Sequence, residues 1–243
     1  MFFPGHLNVY WYSAAGAYAG SLFLYLFRKE RLAVALLLAG FVLNTLFLAG
    51  RSFHWGFFVP TSMFSETFFL PWCLVLLVGI SCFFDVDNNK SLLSGLIPIV
   101  FFSLMALLLP DDLHLPSARH QTVFAPLFLI VEVIAYACFI LGGWLAFWGM
   151  IGKGEVPIFN GMIVWGFVFY SLAQIVGGIW AFLGWGLPFH WSEKHLQSAS
   201  LWCFYCAYLH LAFSSRWKMG AKRGFAVIGT VMIVVFNYAC QIK

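Results

Sequence analysis

The chain alternates between long, nearly unbroken apolar runs and short polar or turn-forming stretches. Eight runs stand out, at about 7–27, 32–50, 66–84, 91–109, 122–150, 157–179, 197–213 and 224–240. Most approach the roughly 20 residues that a bilayer-spanning helix needs. Backbone buried in hydrocarbon must satisfy its own hydrogen bonds, which leaves helices or closed barrels, and barrel strands are shorter and alternate in polarity. The pattern predicts an all-α fold, a polytopic transmembrane helical bundle of about eight spans. The fifth run is longer than a bilayer requires, so that helix is expected to tilt or protrude. No internal repeat or low-complexity segment interrupts the series.

Composition sharpens this reading. Charged residues make up 9% of 243 positions and hydrophobic ones 63%, whereas a water-soluble domain carries roughly 25% charged residues. Residues 1–243 are therefore expected to form a single integral membrane domain in contact with lipid. The segment Met1–His6 has no positive n-region, so the first run reads as a retained span rather than a cleaved signal.

The net charge of +4 has a topological reading that makes nucleic acid an unsuitable partner. Nine of the 13 Lys and Arg residues fall in alternate connections: Arg28, Lys29, Arg31, Lys90, Lys153, Arg216, Lys218, Lys222 and Arg223. Arg51, Arg119, Lys194 and Lys243 lie on the other side. Cationic loops stay cytoplasmic, so the first group is expected inside and both termini outside. His6, His54, His114, His120, His190 and His195 then all fall in outer segments, as do Trp55, Trp185 and Trp191, while His210 alone lies within a span, toward its inner half. The plainer reading of these side chains is an interfacial belt.

The six cysteines lie in or at the ends of apolar runs. Cys203 and Cys206 are spaced C-x-x-C, but no histidine follows and no second pair completes a zinc site, so they read as small packing residues. No Ser/His/Asp set, phosphate-binding loop or dinucleotide fingerprint is present. Glu132 sits in the middle of the fifth run, where an ionised carboxylate is costly. It should be neutral, paired or facing a cavity.

The stretch from Gly177 to His195, with its tryptophan-rich loop at about 180–196, is the most informative. Trp180, Trp185 and Trp191, interleaved with Gly184, Gly186 and Pro188, would build a rigid apolar shelf at the interface. Such a shelf suits a flat apolar ring system such as haem, a quinone or a lipid group; the alternative is an interfacial anchor.

This stretch resembles the tryptophan-rich "WWD" loop of the haem-handling proteins of cytochrome c biogenesis, the CcsA, CcmC and CcmF family, and the CcsA branch most closely. The family pattern is I-W-A, then W-G-x-x-W-x-W-D-P-K-E, then W-x-x-x-A-Y-L-H. The chain offers Ile179-Trp180-Ala181, then Trp185-Gly186, Trp191 and Lys194, then Trp202, Tyr205 and Ala207-Tyr208-Leu209-His210, without a gap. Pro60–Trp72 and Ala135-Tyr136-Ala137 agree more weakly with two further family segments, so the similarity covers roughly 50–240. Phe189, Ser192, Glu193 and His195 depart from the family's tryptophan, aspartate, proline and glutamate.

The resemblance implies haem as cofactor, b-type and transient or bound. It further implies a lipid membrane, a partner membrane protein and c-type cytochromes as partners. The location would be a bacterial inner or organellar energy-transducing membrane, with the loop on the non-cytoplasmic side. His210 corresponds to an intramembrane histidine that meets haem in transit and is the expected iron ligand. The family's outer axial histidines fall at Phe128, seven residues before Ala135, and beyond Lys243. Phenylalanine cannot ligate iron, so His120, His190 and His195 are the candidate substitutes. Glu66, at the family's glutamate position, is expected to cap its helix or to meet a propionate partner. Two functions follow. One is haem holding or delivery, with at most a haem lyase or synthase-type activity. The other is a degenerate member serving as membrane anchor of a haem-containing electron-transfer complex.

Overall fold

The computed structural model describes residues 4–55, 63–84, 88–108, 122–152, 158–189, 191–214 and 216–239. They form eight α-helices: α1 (Pro4–Leu26), α2 (Glu30–Trp55), α3 (Met63–Phe84), α4 (Asn88–Leu107), α5 (Phe124–Met150), α6 (Ile158–Trp185), α7 (Glu193–Ala212) and α8 (Met219–Val234). A π-helical turn, Val235–Ala239, continues α8. No strand occurs among the described residues, and each helix overlaps one apolar run of the sequence.

Four helical segments are long and apolar enough to cross a membrane: Glu30–Phe53, Phe124–Met150, Ile158–Trp185 and Met219–Asn237. Shorter apolar cores lie at Thr67–Ser81 in α3 and Ser94–Leu107 in α4. The first turns of α7 carry Glu193, Lys194, His195, Gln197, Ser198 and Ser200, which makes that helix the most polar of the second half. The boundaries that differ most from the sequence pattern are the ends of α2 and α6 and the starts of α7 and α8. The sixth helix runs on to Trp185, because Gly177 and Gly178 do not break it in apolar surroundings. The seventh begins at Glu193, whose acidic side chain suits a helix N-terminus.

The helices group into two compact units, residues 1–121 and 122–243. In the first, α2 and α4 pack on α1, and α3 packs on α4. Leu7, Trp11, Phe47, Phe68 and Ala106 form one buried cluster. Asn44 Nδ2 donates to Tyr18 Oη at 3.4 Å, and Ser21 Oγ donates to the Ala33 carbonyl at 2.7 Å. The turn into α2 holds Arg28 at φ 59°, a left-handed conformation that costs a non-glycine residue about 1 kcal/mol.

In the second unit α5 is the central helix, and most of its side chains are buried. It packs on α6 along one face and α8 along another, and α7 lies on α6 and α8. Adjacent glycines make this possible. A methyl group on Gly142 would meet Ile163 and the Phe159 carbonyl of α6; one on Gly143 would meet Thr230 and the Ala226 carbonyl of α8. Close backbone approach of this kind holds helices together where there is no hydrophobic drive from water. Thr230 Oγ1 donates to the Phe139 carbonyl at 3.0 Å, and the Phe139 ring stacks on Tyr205 of α7 with centroids 3.6 Å apart.

Basic residues at the start of α8 close the ends of two neighbours. Arg223 Nη1 donates to the Gly149 carbonyl at 2.9 Å, and Lys222 Nζ donates to the Ala212 carbonyl at 2.6 Å. Both carbonyls belong to C-terminal turns, where the helix dipole favours positive charge.

Candidate functional site

The tryptophan loop joins α6 to α7 in the second unit. Trp180 still lies on α6, half-buried, and its indole leans on Phe128 of α5 with centroids 5.8 Å apart. Phe128 itself is buried and fills the notch left by Gly177, where a methyl group would come within 2.9 Å of its ring. Around it are Leu129, Val131, Ala173 and Val176. The position that the resemblance assigns to an axial histidine is here packed core.

Trp185 meets Trp180 edge to face at 5.6 Å. The chain then turns at Gly186, whose φ of 77° is strained for any other residue. Trp191 is 85% exposed and touches Phe189 edge to face at 5.5 Å. Trp180 and Trp185 thus form one edge-to-face pair, and Phe189 and Trp191 another. His195 stands against Phe189 at 5.5 Å and shares a 2.8 Å hydrogen bond between its Nδ1 and Ser192 Oγ. Ser192 therefore positions His195 and makes no side-chain cap of α7.

His210 lies in the last turn of α7, exposed, with Nδ1 2.8 Å from the Cys206 carbonyl. A carbonyl can only accept, so Nδ1 carries a proton, and in the neutral ring Nε2 is then the atom that can ligate a metal. From Glu193 to His210 the axial rise is roughly 25 Å at 1.5 Å per residue. The loop and His210 are therefore separate places. Among the described residues no three His, Cys, Asp or Glu side chains converge as a metal site. His120 and His190 lie outside the described residues, as do the side chains of His6, His54, Trp55 and Glu66.

Beneath the loop lies a polar group around Glu132, the carboxylate that the sequence pattern singled out for its cost in an apolar run. Glu132 is 1% exposed and accepts a 2.9 Å hydrogen bond from Tyr136 Oη. The Tyr136 ring is 5.8 Å from that of Tyr170, whose hydroxyl donates to the Ser198 carbonyl at 3.2 Å. The Tyr136 hydroxyl is the partner that the structure gives this carboxylate in its apolar run. The Nε2 of Gln174 is buried without a hydrogen-bond partner. A lone glutamine in an apolar run was the available signal for this last residue. Among the described cysteines, Cys138 is buried, and Cys203 and Cys206 are free thiols on α7.

Comparison with known proteins places this geometry in context. The chain is 24% identical over 259 residues to the cytochrome c biogenesis protein CcsA of Prochlorococcus marinus (strain MIT 9312), covering 86% of this chain and 82% of that protein. It is 24% identical over 204 residues to the protein of the same name from Chlamydomonas reinhardtii, covering 75% of this chain and 58% of the relative. A 70-residue stretch is 39% identical to CcsA of P. marinus (strain MIT 9303), covering 29% of this chain and 22% of that protein. No family model and no solved structure matches the chain.

Proposed function

From this CcsA-like sequence we propose a haem-handling membrane protein of cytochrome c maturation, which holds haem at the tryptophan loop and offers it to apocytochrome thiols. The observation that carries the reading is the aromatic surface itself. Trp185 and Trp191 are exposed on a loop whose ends are fixed by α6 and α7, at the place where the sequence follows the family pattern. Rings left uncovered but positioned provide a stacking surface at little cost in ordering.

The side chains present fit haem in part. His210 has the tautomer that leaves Nε2 open, and His195 is likewise held through Nδ1 with Nε2 unengaged by Ser192. Phe128, packed against Gly177, supplies no donor. Haem would bring the vinyl groups that become thioether links; the chain would bring orientation, exclusion of water and one histidine nitrogen at a time. Because His210 and the loop are separated by most of α7, one haem cannot use both. His210 serves a station at the far end of α7, and the loop a second one on the non-cytoplasmic side.

The buried Phe128 favours a second reading. A chain that has replaced a family ligand with core packing suits a membrane anchor within a haem-containing electron-transfer complex. The absorption spectrum of the purified protein separates the two. A Soret band weakened in His210→Ala supports haem handling, whereas a haem-free chain that co-purifies with multihaem cytochromes supports the anchor.

A further inference from the structure

The turn from α7 into α8 gathers four cations, Arg216, Lys218, Lys222 and Arg223, and no Asp or Glu follows Glu193 anywhere in the chain. α8 starts with no acidic residue in its first turn, and Lys218 occupies its N-cap without a side-chain cap bond. This inverts the usual arrangement, because the positive end of a helix dipole favours anions and disfavours added cations. The turn from α1 into α2 is different. There Arg28, Lys29 and Arg31 surround Glu30, which stands in the first turn of α2.

The four cations divide by what they touch. Lys222 and Arg223 turn to the Ala212 and Gly149 carbonyls, neutral groups that accept hydrogen bonds without cancelling a full charge. Arg216 and Lys218 are exposed, and their side chains have no hydrogen bond or ion pair among the described residues. Between them stands Trp217, also exposed, whose indole meets Phe225 of α8 edge to face at 5.5 Å. Phe213 and Met219 on either side are exposed as well. From Met219 onward the helix is apolar enough to cross a membrane. Cations and uncovered apolar side chains therefore mix at the edge of the hydrocarbon, the depth of lipid phosphates. A soluble anion would need the charge alone; the apolar side chains beside it suit a lipid.

We propose that the α7–α8 turn binds the headgroup of an anionic phospholipid, with Arg216 and Lys218 on its phosphate and Phe213, Trp217 and Met219 against the start of its acyl chains. The headgroup supplies the negative charge that this stretch of the chain lacks. Its place is the end of α7 that carries His210, and the contact is independent of any haem at the tryptophan loop.

The test mixes the full chain, purified in detergent, with dioleoyl phosphatidylglycerol or dioleoyl phosphatidylcholine and reads retained lipid by native mass spectrometry. Arg216→Gln combined with Lys218→Gln removes the two exposed cations. Arg28→Gln combined with Lys29→Gln removes the same charge at the α1–α2 turn and serves as control. Gel filtration and circular dichroism check that both fold. The parent should prefer phosphatidylglycerol, and the first variant should lose that preference by about fivefold per cation removed, while the control keeps it. Equal losses in the two variants would reduce the turn to general surface charge and overturn the proposal. Equal retention of the two lipids by the parent, or displacement of phosphatidylglycerol by inorganic phosphate, would overturn it too. If the first variant does not fold, Trp217→Ala decides with the charges intact: retention of phosphatidylglycerol several-fold weaker supports the lipid contact, and unchanged retention sinks it.

Discussion

The ring of Phe128 leans on the indole of Trp180 at 5.8 Å, inclined by 31°. One contact thus joins the position where the resemblance expects an iron ligand to the first tryptophan of the loop. Phe128→His tests what that place can hold. The variant should lose about 1–3 kcal/mol of stability, the usual cost of disturbing a buried side chain, yet retain more haemin than the parent. Phe128→Leu, which also disturbs the packing but adds no donor, should show no such gain. Equal Soret bands in the two variants would show that this position does not face haem.

Trp180 and Trp191 should behave differently. Trp191 is 85% exposed, so Trp191→Ala should change stability by less than about 0.5 kcal/mol while weakening ligand retention several-fold. Trp180 packs on the buried cluster around Phe128, and Trp180→Ala should lower the melting temperature as well. A Trp191→Ala protein with unchanged ligand content would mark that indole as an interfacial anchor.

His210 and His195 can be ranked by spectroscopy. His210→Ala is expected to remove the haem held at the far end of α7 and to leave loop-bound haem in place, and His195→Ala to change the Soret band little. The opposite result would move the ligand role to the loop and strengthen the family's outer-face chemistry.

Orientation is testable with thiol labelling in a background free of native cysteines. Cysteine at Trp191 should react with an impermeant maleimide in intact cells, and cysteine at Lys218 only after permeabilisation. Both positions are exposed, so reaction at 218 alone would invert the topology.

The basic pair of α8 has a second use besides orientation. Arg223→Met removes the 2.9 Å contact with the Gly149 carbonyl and should cost about 1–2 kcal/mol, the range for a partly buried charge at a helix C-terminus. Thermal unfolding in detergent, compared with Arg216→Met, reads the difference.

The helices were legible because lipid leaves the chain few options. Eight apolar runs correspond to eight helices, and their largest errors lie where glycine or polar residues blur an edge, at Trp55, Trp185, Glu193 and Met219. Which faces meet was not legible. Gly142 and Gly143 are one dipeptide in sequence, and only the packing shows that one accommodates α6 and the other α8. Glu132 could be flagged from its cost in an apolar run, but its hydrogen bond from Tyr136 shows only in the fold. His210 was visible in the sequence; its tautomer depends on the Cys206 carbonyl and is a property of the fold.

The glycine pair also bears on how the second unit is assembled during synthesis. α5 finds its first neighbour in α6, the next helix to leave the ribosome, but the groove at Gly143 waits for Thr230 in α8. Until then the Phe139 carbonyl lacks the Thr230 hydroxyl that later meets it, and one side of the central helix remains open to lipid. Insertion of α8 is thus the step that completes the unit.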